Sequence, residues 1–267
     1  MIELIKTAKS KKMNSIDLQK IKLQLDNEVK NRDNLSELSY DRPDPLLIAS
    51  RYKDETISLI CALFAYGNAK QIVKFLDSLD FSLLDESEEV ITKELNSHYY
   101  RFQKPNDVIG IFIALKRLKE IDNIENIFYE GYRDENNILD GLWNFISTLK
   151  DIYPLDTHGY KFLTGSVPKK VSLAGTYKRY LMYLRWMVRS DSVDMGLWNK
   201  IDKSHLLMPL DTHTFSVSKK LGLLSRKSCD MRASIELTNT LKNFDKNDPI
   251  KYDFALYRIG QEKIELI

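Results

Sequence analysis

Two residues in the second half of the chain could together carry covalent chemistry at a sugar carbon. Lys178 sits in the segment AGTYKRYLMYLRWMVR, and Asp211 follows 33 residues later in MPLDTHTFSVSKKLGLL. A neutral lysine amine is a nucleophile that can form a Schiff base, and a fixed carboxylate stabilises positive charge that develops beside it. Neither residue type is diagnostic alone. The pair takes its meaning from the elements that must hold it.

Asp211 reads as the N-cap of a helix. Phe215, Ser218 and Leu221 follow at helical spacing, and Gly222 ends the run. A cap aspartate accepts backbone N–H groups and faces the positive end of its helix, so it stays ionised. Most such aspartates are caps and nothing more. The pentapeptide PLDTH occurs twice, at 154–158 and at 209–213. After Asp156, Gly159 interrupts the pattern at once, so Asp211 is favoured and the first copy is read as coincidence.

The lysine segment reads as a basic helix. On a 100° wheel, Met182, Arg185 and Arg189 fall within about 60° of Lys178. Tyr177, Leu181, Leu184 and Val188 form an adjacent apolar stripe. The apolar stripe would pack while the cationic one lines a groove, where Arg185 and Arg189 offer bidentate forks to phosphate. Ordinary amphipathicity, with long side chains reaching water, gives the same pattern. From 161 to 189 there are seven Lys or Arg and no Asp or Glu, whereas 77–94 is strongly acidic. One basic zone on a chain of net charge +2 is enough to bind a polyanion locally.

Composition narrows the class. At 43% hydrophobic and 29% charged residues the chain reads as soluble and globular, and its longest apolar runs, such as VIGIFIAL, are too short to span a membrane. No secretory signal is read in MIELIKTAKSKKMNS, and the two cysteines, Cys61 and Cys229, suit a reducing cytoplasm. Two cysteines cannot hold a four-cysteine iron–sulfur cluster, and His98, His158, His205 and His213 lack zinc spacing. Neither a metal nor a cofactor is expected.

The pattern is helical nearly throughout. Ser15 and Asp54 read as N-caps, 33–44 as a loop, and Gly67 as the stop of the helix that Asp54 opens. AKQIVKFLDSL forms a further helix. Others are expected over 88–100, 106–121, 123–132, 138–153, 211–221, 232–244 and 250–263, with a break at Ser166-Val167-Pro168 before the basic helix. The fold class is all-α, expected as two interleaved helical domains with a cleft between them: 58–189 carrying the basic helix, and 1–57 plus 190–267 carrying the aspartate.

These residues resemble the helix-hairpin-helix DNA glycosylase superfamily (HhH-GPD). Its members carry an aspartate in V/L-D-T-H-V/I-x-R-V followed by an R-L-G-like end; here the segment reads PLDTHTFSVSKKLG. SLICALFAYGNAKQIVKFLDSL resembles the superfamily's first helix pair, with Asn68 at the polar position that enters DNA. The hairpin L-P-G-V-G-x-K is degenerate: Leu173-Ala174-Gly175-Thr176-Tyr177-Lys178 is one residue short and lacks the second glycine. A degenerate hairpin and a long Lys-to-Asp interval are similar to the archaeal-type 8-oxoguanine DNA glycosylases, and KRYLMYLRWMVR also looks like a related bacterial family.

The resemblance implies base-excision repair on double-stranded DNA containing a damaged base, by a cytoplasmic monomer. The base would be flipped out before its bond is cut. Asp211 would stabilise the oxocarbenium-like sugar, and Lys178 would attack C1′ and permit strand scission. Asn68 would fill the gap in the stack, while Gly175, Arg179, Arg185 and Arg189 would contact DNA. The base pocket is left open among Tyr66, Trp186, Trp198, Tyr252, Phe254 and Tyr257. Alternatives are a non-catalytic DNA-binding module, a monofunctional glycosylase using Asp211 alone, and a metal-dependent all-α phosphohydrolase. The last would need clustered His-Asp ligands, and the chain has no His-Asp dipeptide.

Overall fold

The computed structural model describes residues 15–262 and residue 264. The reading of the first residues as free of a secretory signal lies outside them, as does the last residue of the helix expected over 250–263. Among the described residues there are thirteen α-helices and no strand beyond two isolated bridges. None of these helices is long and apolar enough to cross a membrane.

The chain runs through α1 (Ser15–Arg32), α2 (Leu46–Tyr52), α3 (Glu55–Leu63) and α4 (Ala69–Asp77). It continues through α5 (Glu88–Glu94), α6 (Pro105–Ile121), α7 (Ile124–Tyr132), α8 (Ile138–Ile152) and α9 (His158–Thr164). The remaining helices are α10 (Lys178–Val188), α11 (Thr212–Lys220), α12 (Met231–Lys242) and α13 (Asp253–Glu262). Short polar side chains open most of them. Asp54 Oδ1 accepts from the Ile57 amide at 2.8 Å, and Asn123 Oδ1 from Asn126 at 2.8 Å. Each satisfies a donor that the first turn leaves without a partner. Gly222, at φ +69, closes α11 as read from the sequence, with the Leu223 amide bonded to Ser218 O at 2.9 Å.

The core is built around α3, α6 and α10. Leu59 to Phe64 are fully buried, and so are Val108, Ile111, Phe112, Ala114, Leu115 and Leu118. α10 is buried from Tyr180 to Met187, on all sides rather than along one stripe. A helix hydrophobic on one face only would need open water on the other. Here α3 packs on one side of it, and the segment that follows α10 covers its basic side.

Several boundaries differ from expectation. α2 was not foreseen: Asp44 Oδ1 accepts from the Leu46 amide at 2.9 Å, and Leu46, Ile48 and Ala49 pack inward beside α3. α3 ends at Leu63, so Gly67 is not its stop but a turn residue at φ +102 on the way to α4. The helix expected over 88–100 closes at Glu94.

The largest correction concerns the first PLDTH copy. Gly159 does not interrupt; it lies inside α9, which Thr157 caps through the Tyr160 amide at 3.2 Å. The reason is Asp107, 3% exposed, which accepts from the Lys104 amide at 2.7 Å, the Tyr160 amide at 3.1 Å and the Thr157 hydroxyl. A Cβ on Gly159 would lie 2.1 Å from its Oδ2. The glycine admits a buried carboxylate that ties α6 to α9.

Gly159→Ala should therefore destabilise the protein by about 1–3 kcal/mol, the range for overpacking, although alanine favours a helix by about 1 kcal/mol. Urea unfolding monitored by circular dichroism measures it, and a stabilised variant would contradict the close packing.

Candidate active site

Asp211 is delivered by a rigid approach. The Met208 amide donates to Thr238 Oγ1 at 2.9 Å and Ser234 Oγ donates to Met208 O at 2.6 Å, both from buried positions on α12. Asp211 then caps α11, its Oδ1 accepting from the His213 and Thr214 amides at 2.9 Å each. That leaves Oδ2 for other work. It lies 4.0 Å from the amine of Lys178, with the two side chains 28% (Lys178) and 22% (Asp211) exposed. Lys178 is the first residue of α10. The two residues singled out from the sequence thus meet, each placed by a helix start.

They meet in a cavity of about 730 Å³. Its wall includes Tyr66, Phe162, Gly175, Arg179, Met182 and Tyr257, and its floor includes Arg185 and Asp253. Asp253, 5% exposed, accepts from Arg185 Nη1. Burial pushes its carboxyl above the usual range, against the pull of Arg185 and Lys178. The Lys178 amine also lies 6.0 Å from the centre of the Tyr257 ring.

The other expected residues divide. Gly175 is on the wall, and a Cβ there would meet nothing within 4 Å. The stretch from 165 to 177 holds one 3-10 turn, Val171–Leu173, and Tyr177 enters α10 at φ +46 without a side-chain cap. Asn68 is exposed beside the wall residue Gly67, and its Oδ1 caps α4 through Lys70 at 3.0 Å and Gln71 at 3.3 Å. Arg179 lines the cavity but points its guanidinium at main-chain carbonyls.

Arg185 and Arg189 correct the picture of an open cationic groove. They are 5% and 8% exposed. Arg185 donates to Asp194 at 3.0 Å and to Asp253; Arg189 donates to Asp194 and, at 2.9 Å, to Asp248. Burial opposes both charges, but the facing carboxylates overcome it and hold the guanidiniums firmly protonated. Forks already filled by aspartates are not presented to phosphate. The wheel placed them correctly on the side of Lys178, but it could not show that residues 191–194 fold back over that side.

Of the six aromatic candidates, Tyr66, Phe254 and Tyr257 line the cavity. Trp186 is fully buried, Trp198 donates to Glu55 at 2.7 Å, and Tyr252, also buried, donates to Asp26 at 2.8 Å. The sequence reading missed a cluster at the rim. Tyr66, Phe102 and Phe162 pack with ring centres 4.7–5.8 Å apart, and Phe102 and Phe162 stay 42% and 37% exposed. A tight turn from Tyr100 to Gln103, with Arg101 at φ +56, presents this edge, and the Arg101 guanidinium lies 5.4 Å from the Tyr66 ring. The arginine also lies where a Cβ on Gly67 would be, at 2.2 Å. Phe162 was hidden because α9 was not foreseen; Asp253 was hidden because the expected helix over 250–263 placed it inside a helix, whereas Pro249–Tyr252 is a 3-10 turn and α13 starts at Asp253. Among the described residues no His, Cys, Asp and Glu side chains group so as to hold a metal ion.

The fold and the site define an all-helical protein with a lysine and a carboxylate facing each other in a half-open cavity. The chain belongs to the family described as Protein of unknown function (DUF2400), whose match covers residues 44–262 and so includes Lys178, Asp211 and every cavity residue but Pro43. Nothing among the curated proteins and nothing among the solved structures matches it.

Removing one partner from the buried ion network leaves an unpaired charge in the interior. Asp194→Ala or Arg189→Met should cost about 3–5 kcal/mol of stability in guanidinium unfolding. Lys203→Met, at the exposed edge of the network, 3.7 Å from Asp248, should cost no more than about 1 kcal/mol. Equal losses at all three would show that the network is not buried as described.

Proposed function

We propose that the protein is a DNA glycosylase of the helix-hairpin-helix kind with lyase activity, acting as a monomer on double-stranded DNA that carries a damaged base. One observation carries the reading: the Lys178 amine stands 4.0 Å from Asp211 Oδ2 inside a cavity of about 730 Å³. That volume lies in the range of sites that enclose a small molecule, and it would accept a flipped base. The layout proposed with it is two interleaved helical domains, 58–189 and 1–57 plus 190–267. Lys178 then comes from one and Asp211 and Asp253 from the other.

The chemistry follows from the pair. As the N-glycosidic bond lengthens, its electron pair leaves with the base, which takes up a proton, and positive charge grows on the sugar. Asp211 Oδ2, free of capping duty, stabilises that charge without moving. The Lys178 amine forms a bond to C1′ and gives up a proton, the C1′–O4′ bond breaks as O4′ takes up a proton and leaves a protonated Schiff base, and loss of a C2′ proton to solvent then breaks the C3′–O bond with the phosphate as leaving group. The rim supports engagement of unstacked DNA. Phe102 and Phe162 are partly exposed, Arg101 has no carboxylate partner among the described residues, and Lys169 and Lys170 are exposed a few residues after Phe162. Base–aromatic stacking and phosphate attraction are the two usual components of such binding. An oxidised purine such as 8-oxoguanine, the substrate of the glycosylases that the degenerate hairpin resembles, is the base proposed for this cavity.

The test is excision and borohydride trapping on duplexes carrying 8-oxoguanine, uracil, hypoxanthine, alkylated bases or an abasic site. Asp211→Asn, which can still cap α11, should lower excision about a hundredfold or more while lesion binding and folding survive. Lys178→Ala should abolish the trapped adduct. Asp156→Asn should change nothing, because Asp156 is 83% exposed and, among the described residues, pairs with Lys161 alone. Excision that persists in Lys178→Ala would mean a monofunctional glycosylase. Binding without excision on every duplex would mean a DNA-binding module.

A further inference from the structure

Arg179 stands beside Lys178 and has no acidic partner among the described residues, yet it is half-buried. Burial lowers its ordinary pKa, so something other than a carboxylate must hold the charge. The guanidinium donates through Nη1 to Leu63 O and through Nη2 to Phe162 O. Leu63 is the last residue of α3, and Phe162 lies in the last turn of α9. Both carbonyls belong to helix ends, where C=O groups lack intrahelical partners and the dipole is negative. Two helix C-termini thus converge on one cation, with the rings of Phe162 and Tyr66 at 4.5 and 5.5 Å from its centre.

The first turn of α10 needs such a hold. It begins from a left-handed Tyr177 and has no side-chain cap. Its side chains instead donate outward to the end of α9: Tyr177 to Ser166 O, Arg179 to Phe162 O, and Tyr180 to Thr164 O at 2.8 Å. Arg179 alone also reaches α3. We propose that Arg179 is a positioning residue for Lys178: its fork clamps the ends of α3 and α9 to the first turn of α10, and this keeps the amine facing Asp211. The proposal rests on the Lys178–Asp211 pairing argued above, and it takes Arg179 away from the DNA contacts expected for it.

The experiment reads the amine itself and uses no DNA, so it is decided whether or not the protein excises a base. The full chain is reductively methylated with formaldehyde and cyanoborohydride across a pH series. The rate at Lys178 is followed by peptide mass spectrometry against exposed Lys220. In the wild-type background, Asp211→Asn should change the Lys178 rate about fivefold, the factor that corresponds to a contact coupling of about 1 kcal/mol. In Arg179→Met the same Asp211 substitution should change it less than about twofold. Arg179→Lys should behave like Arg179→Met, because an ammonium gathers its donors on one nitrogen and lacks the planar fork that spaces two of them toward separate helix ends. Phe162→Leu leaves α10 intact and should weaken the coupling partway; it also serves if Arg179→Met fails to fold. A fivefold Asp211 effect retained in Arg179→Met, or restored by Arg179→Lys, overturns the proposal.

Discussion

The arrangement depends on the buried ion network along α10. Arg185 and Arg189 sit a turn apart on one side of a helix that is otherwise packed into the core. Unpaired, either charge would be intolerable there. Asp194 answers both, Asp253 answers Arg185 and Asp248 answers Arg189. These three aspartates come from the loop after α10, the segment before the Pro249–Tyr252 turn, and the start of α13. The network therefore brings the C-terminal third back against the lysine helix. Such networks are seldom large net stabilisers compared with apolar packing, but breaking one is costly, and Asp253 ties the start of α13 into this one. With α13 come Asp253 and Tyr257, two groups of the cavity.

The cavity itself is an arrangement of helix ends. Lys178 opens α10, Asp211 caps α11 and Asp253 opens α13, while the ends of α3 and α9 close around Arg179. Ends are where backbone polar groups lack partners, so side chains there do two jobs at once. Asp211 illustrates the economy: one oxygen satisfies two amides, and the other faces the amine. The amides lock the carboxylate's orientation, which is what preorganised electrostatic stabilisation requires.

The duplicated PLDTH shows how little a pentapeptide decides. Both copies open a helix. In the second, the aspartate caps; in the first, the threonine caps and Asp156 is left in solvent. The difference comes from Asp107, a residue from α6 that accepts from the Thr157 hydroxyl and the Tyr160 amide and fills the space beside Gly159. A contact between residues fifty positions apart has no signature in the local pattern.

Much of this protein was legible in its residues. Periodicity and caps marked the all-helical class and most of the helices, because a 3.6-residue repeat and a side chain that accepts an amide are local properties. Asp54, Asp211 and Gly222 do what their positions implied. That Lys178 and Asp211 come within 4.0 Å of each other was also legible, from their types and from a motif. What the tertiary structure alone decided was the fate of the charges. A helical wheel places Lys178, Arg185 and Arg189 on one side, but burial is set by what packs there. Asp194 from the next loop, with Asp248 and Asp253 from far along the chain, covers Arg185 and Arg189 and leaves Lys178 at the cavity. The same holds for the rim of Tyr66, Phe102 and Phe162, which three separated segments assemble. Local sequence sets which groups a helix can offer; long-range packing sets which of them meet water, a carboxylate or an open cavity.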